Sequence, residues 1–331
     1  MTEATQKKVV TDRTLAAAYG GAGWSPRITS LRQEIGTLWG ACGISTEWAP
    51  LKAVLLHRPG PELETVRDPQ AAQMLDALDA ARTRAQHDAL VAAYRAAGVT
   101  VHTVVSQALD DAPAPPPNLT FVADLLFMTP EGAILGRPAS TVRAGEERWV
   151  ARRLAQLDVP ILLSVHGRGT FEGADAAWID PHTVLLATGL RTNAAGAAQV
   201  SRLLRGMDVE VIPVGLPYGA MHLMGTLRFP DRDLALAWPG RVPYAAVAAL
   251  QAHGYTVRTL PDEAEMRRGM ALNFVTLGPR KILMPAGNPV TQAFYQELGI
   301  ACTPVAVDEL LKAAGGIGCL TGVLERAAPP S

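Results

Sequence analysis

Cys319, in the run Gly315-Gly316-Ile317-Gly318-Cys319-Leu320-Thr321, is the side chain best suited to attack a substrate. Four small residues precede the motif's core, Ala313 to Gly316, and leave the sulfur backbone clearance on one side. A reacting carbon could then approach to about 3 to 3.5 Å. Cysteines are more often small buried hydrophobes, so the case depends on the company Cys319 keeps. Asp124, Glu172 with Asp175, His222 and Asn273 follow one another along the chain. An imidazole such as His222 titrates near working pH and can serve as general acid and then as base. Asp124 leads the apolar stretch Leu125-Leu126-Phe127-Met128. A carboxylate buried there without a partner would be costly, and a cationic ligand would supply one through charge-assisted bonds.

The elements that must bring these groups together are hairpins. Two apolar runs joined by turn residues recur at 124–138 (turn 129–132), 176–188 (turn 180–182), 226–239 (turn 230–233) and 271–285 (turn 278–281). Each is followed by a helix-compatible stretch and a short apolar strand: 146–157 then 159–165, 195–204 then 209–214, 242–253 then 255–260, and 290–298 then 301–307. The unit is strand, strand, helix, strand, with a period of about 45 to 52 residues. A fifth copy is split across the chain: 51–56 pairs with 320–324, and 74–97 and 99–105 supply its helix and third strand. Pairing a first strand with a last one closes a ring and removes a free sheet edge. Equivalent loops of such a ring converge on its axis, so the five polar groups, each just before or at a hairpin's first strand, should meet there.

Composition narrows the partners. The 331 residues are 48% hydrophobic and 18% charged, enough for a large core without disulfides. A net charge of -1 and no basic block argue against nucleic acid. No apolar run approaches the eighteen or so residues of a membrane span. Cys42, Cys302 and Cys319 form no disulfide framework and no zinc-type Cys-x-x-Cys pair, which fits a reducing cytoplasm. No secretory leader is expected, because Val9-Val10 runs straight into Thr11-Asp12-Arg13. The other histidines, His57, His87, His102, His166, His182 and His253, lack clustered spacing, so no metal is expected. Gly20-Gly21-Ala22-Gly23 lacks the preceding strand and the spacing of a dinucleotide loop. Residues 1–46 read as an arm or lid, 47–326 as the catalytic domain and 327–331 as a tail.

Five short motifs in order carry a resemblance: Phe121-Val122-Ala123-Asp124, Phe171-Glu172-Gly173-Ala174-Asp175, Gly189-Leu190-Arg191-Thr192-Asn193, Met221-His222-Leu223 and the glycine-rich cysteine motif. From Glu47 to Arg326 the chain resembles the guanidine-modifying (pentein) superfamily, which implies an α/β fold, a five-bladed pseudo-symmetric ββαβ propeller. Within it the chain looks most like the dimethylarginine dimethylaminohydrolases, through Arg137-Pro138, Leu190-Arg191-Thr192-Asn193 and Cys319-Leu320. Arginine deiminases and amidinotransferases usually carry a His-Cys pair and an aspartate two residues after the histidine, where this chain has Gly318 and Met224. It also departs from the dimethylarginine branch, with Ala123 for a glutamate and Ala174 for a glycine. These departures make a substituted or smaller guanidine, or an amidine, a better expectation than free arginine.

The resemblance implies a cofactor-free hydrolase acting on the C–N bond of a guanidino or amidino compound. Cys319 would be the nucleophile, forming a covalent thiouronium, with His222 as acid and base. Asp124 and Glu172 would hold the guanidinium, Asp175 would orient the site from behind, and Arg137 and Arg191 would bind a substrate carboxylate. Asn118 and Asn273 are pocket residues by their axial position, and His166 is a loop neighbour of Glu172. The alternatives are an amidinotransferase passing the group to an amine, and a non-catalytic guanidine-binding protein, prompted by Ala123 and Ala174. The sequence leaves a homo-oligomer open.

Overall fold

The computed structural model describes residues 15–105 and 115–329. Two compact units divide the chain, 1–34 and 35–331. In the described part of the smaller unit, Arg27 Nε and Thr29 Oγ1 both donate to Glu34 Oε1, at 2.7 and 2.5 Å.

Five three-stranded sheets make up the frame of the larger unit. The four continuous hairpins are Leu126–Thr129 with Gly132–Leu135, Ala176–Asp180 with Thr183–Thr188, Leu227–Asp231 with Leu234–Ala237, and Val275–Gly278 with Lys281–Pro285. In each sheet the second hairpin strand takes a parallel partner after a helix: Ile161–Ser164, Glu210–Gly215, Thr256–Thr259 and Ala301–Val305 respectively. The fifth unit is split as expected. Gly322–Arg326 runs antiparallel to Leu51–Leu56, which pairs in parallel with Thr100–Thr103. The architecture is therefore the five-fold pseudo-symmetric ββαβ arrangement anticipated from the sequence.

Most hairpin strands are buried along nearly their whole length, and this is why they read as continuous apolar runs rather than alternating ones. The parallel third strands are more exposed and more polar. One helix starts later than expected: Ala80–Ala96 rather than 74–97. Asp79 accepts from the Arg82 amide at 2.9 Å and so caps the helix, while Gln73, at φ 60°, turns the chain ahead of it.

Side chains reaching the backbone of the preceding unit lock the blades together. Trp178 Nε1 donates to the Met128 carbonyl at 3.1 Å, Tyr255 to Ile179 at 2.5 Å, and Thr276 to Phe229 at 2.8 Å. Trp178 also stacks on Phe127, with ring centroids 5.8 Å apart. Arg326 finishes the series. Its buried Nη1 donates to the Thr276 carbonyl at 2.9 Å and to the Ala49 carbonyl at 2.7 Å. Residues ahead of the first strand join this unit as well, since the Gly43 amide donates to Leu324 at 2.8 Å and its carbonyl accepts from Arg326 at 3.1 Å.

An unmade bond to a buried carbonyl costs about 1–3 kcal/mol. Arg326→Met, which keeps the stem but orphans two carbonyls, is expected to lower the unfolding free energy by about 3 kcal/mol in urea titrations. A loss below about 1 kcal/mol would mean that the seam between the last blades does not depend on this guanidinium.

Candidate active site

Each hairpin's first strand is entered through a tight turn, and the turns carry the polar groups. Asp124 ends the 3-10 turn Val122–Asp124, Asp175 ends Gly173–Asp175, and His222 caps Leu223–Gly225. Cys319 lies in the helical turn Ile317–Leu320, and Asn273 sits just ahead of Val275–Gly278. Close backbone approach makes this packing feasible. A Cβ on Gly173 would lie 2.1 Å from the Leu126 carbonyl oxygen and 2.6 Å from that of Ala123.

The glycines before Cys319 have a different use from the one expected. They make room for the protein's own side chains rather than for substrate. A Cβ on Gly315 would strike the Phe121 ring at 2.2 Å, and one on Gly318 would meet Asn273 Oδ1 at 2.8 Å. Asn273 fits into that space and grips Cys319, its Nδ2 donating to Sγ at 3.0 Å and its Oδ1 accepting from the Cys319 amide at 3.1 Å. Asn273 thus positions the sulfur. Its expected role as a substrate contact is secondary to that.

A buried chain of charges faces the sulfur. His222 Nε2 and Glu172 Oε2 are 2.6 Å apart. Glu172 Oε1 accepts from the Ala139 amide at 3.1 Å and from Arg191 Nη1 at 3.4 Å. With both oxygens taken and no surface exposed, Glu172 stands behind His222 and does not line the cavity, contrary to the expectation that it grips the substrate. Asp175 lies deeper. It accepts from the Thr192 hydroxyl at 2.7 Å and from the Leu223 amide at 3.1 Å, and so fixes the turn that carries His222.

The sequence reading missed Arg143. This buried guanidinium donates to Asp124 Oδ2 at 2.5 Å, lies 2.8 Å from Glu146 Oε2 and stands 3.7 Å from Glu172 Oε2. In the sequence, Arg143 and Glu146 look like a solvated pair at a helix start, and only their place between a hairpin and its helix hints otherwise. Asp124 is therefore held on one side by Arg143. Its other oxygen, Oδ1, has no hydrogen-bond partner and lies 3.8 Å from His222 Nδ1.

The expected residues thus fall into three groups. Cys319, His222, Asp124, Arg191 and Asn118 border a polar hollow, which Phe121 and Arg143 also line. Cys319 and His222 form a shared wall with a second, larger hollow, which Asn273 borders. Arg137 stays outside both, its guanidinium donating to the Gly169 carbonyl at 3.0 Å. His166 is exposed and bonds to Ser164, away from the site. Ala123 and Ala174 are buried and line neither hollow.

Burial and charge compete across the cluster. Burial opposes a proton on His222, but Asp124, Asp175 and Glu172 together outweigh it and raise the imidazole from 6.5 to about 9. Burial likewise works against the Glu172 carboxylate, yet the hydrogen bond and charge of His222, with Arg143 and Arg191, hold it down at about 2. Burial lifts Asp175 to about 6 and Glu146 to about 7. It also raises the Cys319 thiol, and Asp124 adds to that rise against the bond from Asn273. Asp124, Glu172 and His222 are the one group of metal-capable donors among the described residues, with ligand atoms within 4.8 Å of one another. Arg143 already supplies a positive charge to two of them.

These shifts set a stability profile. The raised His222 contributes stability in full below pH 6.5 and loses it as pH rises through about 9. The depressed Glu172 contributes above about pH 4.5 and loses its part as pH falls toward 2. Glu172→Gln should bring the His222 titration, followed by imidazole nitrogen NMR, down from about 9, and should flatten the alkaline loss of stability. An unchanged titration would show that Glu172 does not hold the proton on His222.

No protein-family model matches the chain. Among curated proteins it is similar to the N(G),N(G)-dimethylarginine dimethylaminohydrolase of Streptomyces coelicolor, 28% identical over 273 residues that cover 82% of this chain and 96% of that protein. The enzyme of the same name from Pseudomonas aeruginosa is 25% identical over 247 residues, covering 73% and 89%. A crystal structure of the Pseudomonas aeruginosa enzyme complexed with citrulline superposes with a TM-score of 0.67 at 22% identity, over 82% of this chain and 98% of that one. The inosamine-phosphate amidinotransferase of Streptomyces griseus superposes with a TM-score of 0.69 at 14% identity, over 88% and 99%. The chain has the five-bladed fold of these proteins and resembles the guanidine-modifying (pentein) superfamily.

Proposed function

We propose that the protein is a cofactor-free hydrolase of the C–N bond of a guanidino or amidino compound, working through a covalent thiouronium on Cys319. One observation carries this reading. Asp124 Oδ1 and Asn118 Oδ1 are buried acceptors without a hydrogen-bond partner, and they border the same hollow as Cys319 and His222. Unpaired buried acceptors call for N–H donors, and a guanidinium or amidinium is a planar set of them with the charge to match Asp124. The similarity to dimethylarginine dimethylaminohydrolases supports the same substrate chemistry.

The carbon of a guanidinium is a poor electrophile because its charge is delocalised, so the nucleophile must be strong. In the free protein burial keeps Cys319 a thiol. A cation seated against Asp124 would favour loss of the thiol proton to solvent and leave the thiolate, since a nearby positive charge lowers a thiol's pKa. Sγ then bonds to the carbon, and the bond from carbon to the departing nitrogen breaks as His222 gives that nitrogen a proton. His222 is suited to this because the carboxylates around it keep it protonated at neutral pH. The amine leaves, and the remaining thiouronium is attacked by water while the now neutral imidazole takes the water's proton. The C–S bond breaks, releasing a urea or amide and restoring the thiolate. Glu172 serves by holding His222 in place and charged, Asn273 by holding Sγ.

Intact mass spectrometry of the protein incubated with a panel of guanidines and amidines tests this reading. The expected result is a transient adduct on Cys319 with release of amine or ammonia, and a rate lowered more than a hundredfold in Cys319→Ser. Turnover that survives the substitution would eliminate the covalent route. Product that forms only when an acceptor amine is added would reassign the protein as an amidinotransferase.

A further inference from the structure

The two hollows meet at Cys319 and His222 but differ in chemistry. The smaller one carries Asp124, Asn118, Arg143 and Arg191 in its wall beside Phe121 and Met221. The larger one, about 1030 Å³ of empty space against about 340 Å³, is walled by Trp238, Met224, Met266, Met270 and Leu272. It has no carboxylate in its wall, and its charged residues besides His222 are Arg241 and Arg267. Both arginines lie over the Trp238 ring, at 5.1 and 5.9 Å from its centroid. Arg267 is neutralised by Glu263 at 2.6 Å. Arg241 donates to the Gly219 carbonyl and, among the described residues, has no carboxylate within 4.0 Å.

An attacked carbon at Cys319 would therefore have hydrogen-bonding groups on one side and an apolar chamber with one uncompensated positive charge on the other. Resting on the guanidine-hydrolase reading above, we infer that one nitrogen of the reacting group bears an apolar substituent that fills this chamber, and that an anionic group at its far end is bound by Arg241. Methionines suit a chain of variable shape, because their side chains are flexible and polarizable. A cationic tail is disfavoured, since Arg241 and the protonated His222 would repel it.

Rates with methylguanidine, butylguanidine, guanidinobutanoate and aminobutylguanidine test the inference. Extra methylenes buried in the chamber should raise kcat/KM of butylguanidine at least about tenfold over methylguanidine. The carboxylate should place guanidinobutanoate about tenfold or more above aminobutylguanidine. Arg241→Gln should abolish that second preference mainly through KM, and Arg241→Lys should retain most of it. An equal or reversed order of the carboxylate and amine compounds, or no gain with chain length, would overturn the inference while the adduct on Cys319 still formed. Failure of all four compounds to label Cys319 would instead remove the guanidine reading on which it rests.

Discussion

The site depends on one constraint: several full charges are buried together and must nearly cancel. Asp124, Glu146, Glu172 and Asp175 are each 3% exposed or less, and against them stand Arg143, Arg191 and His222. Isolated, any of these charges would cost several kcal/mol to desolvate. Held as a network, they support one another, and the balance is kept by letting the least paired carboxylates drift toward neutrality. Asp175 and Glu146 are raised, while Glu172, clasped between His222 and two arginines, is depressed. The consequence is an imidazole held protonated at neutral pH beside a thiol that is itself reluctant to ionise. The proposed cationic substrate would resolve that standoff, because it would answer Asp124 Oδ1 and the developing charge on sulfur at once.

The ring of blades is what allows such a cluster to exist. The charges come from several separate stretches of chain, and Asp124, Asp175 and His222 are carried on tight turns that lead into the first strands of successive hairpins. Bonds such as Trp178 to Met128 and Tyr255 to Ile179 fix adjacent blades, so the turns cannot move apart to let water relieve the buried charges. Rigidity of this kind would serve the proposed catalysis, since Asn273 holds Sγ and Asp175 holds the turn of His222 without a conformational search.

The fold was legible because its signal is repeated. Apolar pairs around turn residues, recurring four times and once more across a split unit, leave few other architectures. Cys319, His222 and Asp124 were legible for the same reason, since equivalent positions in a ring must converge. What failed to read through was orientation. Glu172 and Asp124 look alike in sequence, yet one is buried behind the imidazole and the other faces the hollow. Arg137 sits in a matching motif but turns to the Gly169 carbonyl. Arg143 was invisible because an Arg and a Glu three residues apart normally lie on a wet helix surface, and only the third dimension brings them against Asp124. The glycines before Cys319 showed that something approaches closely, but not that Asn273 and Phe121 are what approach. The start of the Ala80–Ala96 helix was set by the Asp79 cap, a local bond that outweighed the apolar character of the residues before it.

The mechanism requires a planar cation to bind Asp124 Oδ1 beside Cys319 Sγ. A crystal structure of the protein inactivated with a haloacetamidine, whose methylene carbon bonds to Sγ as halide leaves and keeps the amidinium next to the sulfur, measures that placement. The account predicts a single S–C bond at Cys319, an amidine N–H within hydrogen-bond distance of Asp124 Oδ1, and His222 still joined to Glu172. An adduct on Cys42 or Cys302, or an amidine on Cys319 turned away from Asp124, would contradict it.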